Sequence, residues 1–87
     1  MPLKIIEFTA PWCSACKTLS TTLDRVLSEF EDADIDLTIV DVEQEPGVAV
    51  EYGVTSGLPA LIIGDRRMVG NQTHSALRSA IKEGLGR

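Results

Sequence analysis

The sequence predicts an α/β layered domain with the element order βαβαββα, and three observations carry that expectation. Leu3–Thr9 is a short apolar run rich in β-branched and aromatic residues, which suits a strand buried on both faces. Behind it Leu19, Leu23, Val26, Leu27 and Phe30 recur at spacings of three and four, the stripe of an amphipathic helix. Further on, two β-type runs flank Gly64-Asp65, a dipeptide suited to a tight hairpin turn whose first residue has positive φ. A strand, a helix and a second strand running parallel need a right-handed crossover, which covers the sheet with helices.

The elements follow in order. Leu3–Thr9 is expected at the centre of the sheet and ends at Ala10-Pro11. The first helix runs from about Ser14 to Phe30 and is closed by Glu31-Asp32-Ala33-Asp34. Ile35–Val42 alternates apolar with mostly polar residues, then turns apolar, as a second strand does. Pro46, near a first helical turn, and Gly53, at an end, bracket a brief second helix. Pro59–Ile63 and Arg67–Val69 are the antiparallel third and fourth strands. Thr73 caps a last helix whose apolar face uses Leu77, Ala80, Ile81 and Leu85, with Gly84 and Gly86 at its fraying end. No repeat, low-complexity tract or Ser/Gly-rich linker interrupts the 87 residues, so residues 1–87 are expected to form a single domain.

Composition narrows the function. Thirteen acidic residues stand against eight Lys and Arg, giving a net charge of −5, which disfavours nucleic acid as a partner. Ten of the acids lie between Val26 and Asp65, where no Lys or Arg occurs, and read as a solvated acidic face. No apolar run approaches the roughly 18 residues of a membrane span. The Met-Pro-Leu-Lys start lacks the apolar block of a secretory leader, so a cytoplasmic location is the expectation. Two cysteines cannot build the disulfide framework of a small secreted fold.

They can do chemistry. In such sheets reactive groups gather at the carboxyl ends of strands, and Cys13 lies just past the first strand, where the first helix opens. Trp12-Cys13-Ser14-Ala15-Cys16 puts two thiols on neighbouring positions of one turn, able to close a small disulfide ring. A Cys13 thiolate would meet the unpaired amides and positive dipole end of that helix, which lowers a thiol pKa. Cys16, one turn inward, is expected to be less exposed. Cys13 is then the nucleophile and Cys16 the resolving thiol of a disulfide exchange. A zinc half-site and two inert buried thiols are the competing readings; zinc wants four ligands, and beyond the thiols only His74 offers itself.

The segment Phe8-Thr9-Ala10-Pro11-Trp12-Cys13-Ser14-Ala15-Cys16-Lys17 resembles the active-site segment of thioredoxins. Asp41-Val42-Glu43-Gln44-Glu45-Pro46-Gly47, Tyr52-Gly53-Val54, Gly57-Leu58-Pro59 and Val69-Gly70 resemble later landmarks of that family in the same order. The chain begins at what would be the family's second strand, so it is similar to a minimal, glutaredoxin-sized thioredoxin. That likeness implies a four-stranded mixed sheet of order 2-1-3-4 with helices on both faces.

The resemblance also implies roles. Glu7, a lone carboxylate in a buried strand and six residues before Cys13, stands where thioredoxins carry a buried Asp that exchanges a proton with the resolving cysteine. Desolvation should raise its pKa and suit it as general base toward Cys16. Pro59 is implied to follow a cis bond and to pack on the cysteine pair. Leu58 would pair its backbone with an extended substrate segment, Trp12 would form an apolar platform for partners, and Gly70 would leave room for a partner's backbone. Lys17 would keep the local potential positive. No bound cofactor is implied beyond the redox-active Cys13–Cys16 disulfide, and no metal. The implied partners of this monomer are protein disulfides and a thioredoxin reductase, with glutathione as the alternative reductant.

The pattern departs from the family in places. Ser14-Ala15 replaces the Gly-Pro of typical thioredoxins, Thr21 stands where a helix-kinking proline is usual, and Ile39 stands where a lysine commonly neighbours the buried acid. The Tyr52–Pro59 interval is one residue longer than usual. A protein-disulfide reductase is the leading reading. The alternatives are a glutathione-dependent glutaredoxin-like enzyme, a dedicated donor to one partner such as ribonucleotide reductase, and a non-catalytic binding module. Against the glutaredoxin reading stand Gly57-Leu58 and Val69-Gly70-Asn71, where that family has Thr-Val and a Gly-Gly pair.

Overall fold

A computed structural model describes residues 2–54 and 57–87. Its central strand is β1 (Leu3–Thr9), flanked in parallel by β2 (Ile35–Asp41) and in antiparallel by β3 (Ala60–Ile63); β4 (Arg66–Val69) pairs antiparallel with β3. The order β2-β1-β3-β4 agrees with the expected 2-1-3-4. The helices are α1 (Ser14–Leu27), α2 (Pro46–Glu51) and α3 (His74–Gly84).

Alternation along β1 decides which layer each side chain joins. Leu3 and Ile5 pack with Leu19, Leu23 and Val26 of α1 and Leu77, Ala80 and Ile81 of α3, forming the larger core. Ile6 and Phe8 point the other way, to Val40, Ala60 and the α2-side residues Val48, Tyr52 and Val54. Helices therefore cover both faces of the sheet. Ile5, Phe8, Leu19, Leu23, Leu61, Leu77 and Ile81 lose essentially all their exposure, each worth roughly 1.5–3 kcal/mol of burial.

Element ends differ from the sequence reading by a few residues. The helix expected over Ser14–Phe30 is α-helical only to Leu27 and continues as a single 3₁₀ turn, Ser28–Phe30. The Ser28 hydroxyl donates to the Arg25 carbonyl at 2.6 Å, while Phe30 still reaches the core. The second strand stops at Asp41 rather than Val42, because the Asp41 carboxylate accepts the amides of Glu43 and Gln44 and turns the chain. Ile63 and Arg66 face each other across a two-residue Gly64-Asp65 loop, with Gly64 at φ +63° as the hairpin needs. The expected lengthening of the Tyr52–Pro59 interval falls in part on residues 55 and 56, outside the described residues.

Candidate active site

The site is built by the way β1 hands over to α1. Past Thr9 the Cys13 amide donates to the Ala10 carbonyl at 3.1 Å, closing a four-residue turn with Pro11 at its second position, where the fixed proline φ fits. Cys13 is thereby the N-cap of α1, extended at φ −96° and ψ 97°, and its Sγ accepts the Cys16 amide at 3.1 Å. The two cysteines form a disulfide with a Cα–Cα distance of 5.2 Å. Cys13 is 7% exposed and Cys16 1%, so the inner thiol is the less accessible one, as its place one turn inward suggested. The first turn of α1 carries no acidic residue to oppose a thiolate there. Among the described residues no group of three or more His, Cys, Asp or Glu side chains could hold a metal ion.

Around the pair the other sequence candidates fall into two groups. Leu58 is half-buried against Ala10, Cys13 and Cys16, and Pro59 is buried after a cis Leu58–Pro59 bond. Gly70 lies across from Pro59, donating its amide to the Pro59 carbonyl at 2.7 Å. Its φ of +84° requires glycine, and the space where a Cβ would stand is open. Gln72 fixes this corner through its side-chain amide, which donates to the Val69 and Gly70 carbonyls at 3.1 and 3.4 Å. Trp12 is 67% exposed, which excludes a core role, and its indole N–H donates to the Glu43 carboxylate. Lys17 is exposed on α1.

Glu7 forms the second group. At 3% exposure it is the one buried charged residue among those described. It sits opposite Ile39 of β2 and Leu61 of β3, so neither strand brings a cation to it. Burial raises its pKa above the ordinary value of 4.5; a hydrogen bond with the Ser20 side chain opposes that shift, and the Asp24 charge adds to it. Where thioredoxins kink this helix with proline, Thr21 instead donates to the Lys17 carbonyl at 3.1 Å and α1 runs unbroken over 14 residues.

Sequence reasoning missed three partners. Glu43 belongs to a recognised segment, but its hold on Trp12 needs the Asp41 turn that carries it there. Ser20 and Asp24 were overlooked although they stand four and eight residues after Cys16, on the same helical face, a spacing that was available to read.

Comparison with known proteins agrees with this geometry. The thioredoxin family model matches residues 2–83. A thioredoxin of Methanocaldococcus jannaschii is 34% identical over 83 residues, covering 95% of this chain and 96% of that one. A Griffithsia pacifica thioredoxin is 32% identical over 59 residues, a stretch spanning 68% of this chain and only 52% of that relative. Among solved structures, one described as a malarial protein superposes with a TM-score of 0.83 at 26% identity, covering 98% of this chain and 99% of its own. A Halobacterium salinarum thioredoxin gives 0.79 at 27% identity, covering 95% and 74%. A protein carrying this fold, this sheet order and a cysteine pair at the α1 N-terminus, matched by the family model over nearly its whole length, belongs to the thioredoxin family of thiol–disulfide oxidoreductases.

Proposed function

We propose that the chain reduces protein disulfides by cycling Cys13 and Cys16 between dithiol and disulfide. The observation that carries this reading is the asymmetry of the pair: Cys13 Sγ occupies the helix N-cap and receives the Cys16 amide, while Cys16 lies buried beneath it. In the reduced protein that amide and the helix dipole stabilise a Cys13 thiolate, which attacks a substrate sulfur. One substrate sulfur leaves as a thiolate and a mixed disulfide through Cys13 remains. Glu7 takes the proton of the Cys16 thiol, and the Cys16 thiolate attacks Cys13 Sγ. The intramolecular disulfide forms, and the second substrate sulfur leaves. The substrate gains two electrons and the Cys13/Cys16 pair loses two.

The exposed Trp12, the Leu58 backbone before Pro59 and the open space at Gly70 form the surface on which an extended substrate segment docks. A thioredoxin reductase in the cytoplasm returns the electrons, with glutathione as the alternative donor. Incubating the Cys16→Ser protein with insulin tests this mechanism. A covalent adduct through Cys13 that dissolves in dithiothreitol is expected, and absence of any adduct contradicts the reading.

A further inference from the structure

Between Val26 and Asp65 the chain holds no Lys or Arg, and both α2 and the segment leading from it to Leu58 and Pro59 lie inside that stretch. The last turn of α2 accordingly has no basic residue of its own to meet the partial negative charge of its carbonyl end. Those carbonyls still find partners. The amides of Tyr52, Gly53 and Val54 donate back to the carbonyls of Val48, Val50 and Ala49. The carbonyl of Tyr52, the C-cap residue, accepts from the Arg67 guanidinium of β4. The same guanidinium lies against the next residue, where a Cβ on Gly53 would stand 3.2 Å from Arg67 Nη1.

The register of β4 explains this reach. Met68 pairs with Leu61 and joins the core beneath α1 and α3. Arg67 and Val69, on either side of it, therefore face the α2 layer, opposite Ile62 and Ala60. Val69 and Gly70 hold the far end of the same segment. A Cβ on Gly57 would stand 3.2 Å from Val69 Cγ1, and the Gly70 amide donates to the Pro59 carbonyl at 2.7 Å. One strand thus grips the segment twice, at its start through Arg67 and beside Leu58 through Val69 and Gly70. Arg66 serves a different layer, pairing with Glu83 of α3 at 3.1 Å.

We propose that Arg67 is a positioning residue for substrate docking, fixing the start of the segment that presents the Leu58 backbone beside Cys13. The inference rests on the reading that protein disulfides are reduced here and that their extended segments pair with Leu58. A docking edge that is already held in place spares the complex the cost of ordering it when substrate binds. Arg67 acts on the segment and not on the sulfurs. Its loss is therefore felt by a substrate that adds as a strand at Leu58, and not by a small disulfide that reaches Cys13 without such pairing.

Oxidation of the reduced protein by two disulfides, insulin and dithiobis-nitrobenzoate, separates docking from chemistry. Arg67→Ala is expected to slow the reaction with insulin by about tenfold, the worth of one hydrogen bond from a charged donor, and to leave the reaction with dithiobis-nitrobenzoate unchanged. Arg67→Lys, which keeps a cationic donor on a flexible stem, restores most of the insulin rate. Arg66→Ala removes the same charge from the neighbouring position and changes neither rate. Equal slowing of both reactions in Arg67→Ala overturns the proposal, as does an unchanged insulin rate in a variant whose urea midpoint has fallen. Slowing of the insulin reaction by Arg66→Ala to the same degree also overturns it, since net charge and not the grip on Tyr52 would then be responsible. If the unmodified protein reacts with dithiobis-nitrobenzoate and not with insulin, the reading as a protein-disulfide reductase falls, and this inference falls with it.

Discussion

Cys13 at the start of α1 and Thr73 at the start of α3 are both extended N-caps, and each offers a side-chain acceptor to the amide three residues on, at 3.1 Å for Cys13 Sγ and 3.0 Å for Thr73 Oγ1. Both helices present the same unpaired amides and the same positive dipole end. The surroundings differ. The start of α3 is tied down on the surface, where His74 Nε2 lies 2.8 Å from Glu29 and Arg78 holds the same carboxylate at 2.8 and 3.0 Å. Cys13 is instead packed among Ala10, Cys16 and the half-buried Leu58, with the buried Glu7 on the α1 side of the sheet. The groups that stabilise a helix start are the groups that activate a nucleophile. An oxygen at the cap serves stability alone, whereas a thiol there is placed where the same amides and dipole end favour its ionisation.

Exchange of the two caps should break the symmetry most visibly in activity. Cys13→Ser keeps a good N-cap and abolishes disulfide reduction, while Thr73→Ala leaves turnover at the level of the unmodified protein in an insulin reduction assay. Stability should invert that ranking. Thr73→Ala costs about 1 kcal/mol in urea unfolding of the reduced protein, and Cys13→Ser costs none. A sharper comparison places a thiol at the other cap: Thr73→Cys in a Cys13→Ser, Cys16→Ser background should ionise below the free-thiol value of about 8.5, as read by the pH dependence of alkylation. An unshifted thiol there would show that a helix start alone does not activate Cys13.

The pH dependence of stability is the smallest of these effects, and it separates two carboxylates. Glu7 has its folded-state pKa raised by burial, so its contribution is full below the unfolded value of 4.5 and is lost as pH rises through the folded value. Glu7→Gln should therefore gain stability relative to the unmodified protein toward neutral pH. Glu29, exposed near the start of α3, is shifted the other way by its hydrogen bond to Arg78. Its stabilisation is present above 4.5 and lost as pH falls, so Glu29→Gln should flatten only the acid limb of the same urea titration.

Much of this architecture is legible from side-chain pattern alone. The run Leu3–Thr9, the spacing from Leu19 to Phe30 and the Gly64-Asp65 turn each express one local rule, and each lies where that rule puts it. The Cys13-x-x-Cys16 spacing at a strand-to-helix junction likewise marks the site. What stayed hidden depends on hydrogen bonds whose partners are set by turns. The Asp41 carboxylate stops β2 one residue early and delivers Glu43 to Trp12, and the Ser28 hydroxyl accompanies the tightening of the helix end. The surroundings of Glu7 needed both a strand register and a helix face, and only the fold brings those together.

In the proposed mechanism the α1 N-terminus makes Cys13, and not Cys16, the reactive thiol. The direct test is alkylation of the reduced protein with iodoacetamide across pH, each cysteine followed separately by peptide mass. Cys13 is expected to be modified first, with a midpoint below about 8.5, while Cys16 stays protected. Modification of Cys16 first, or a Cys13 midpoint at or above about 8.5, would contradict it.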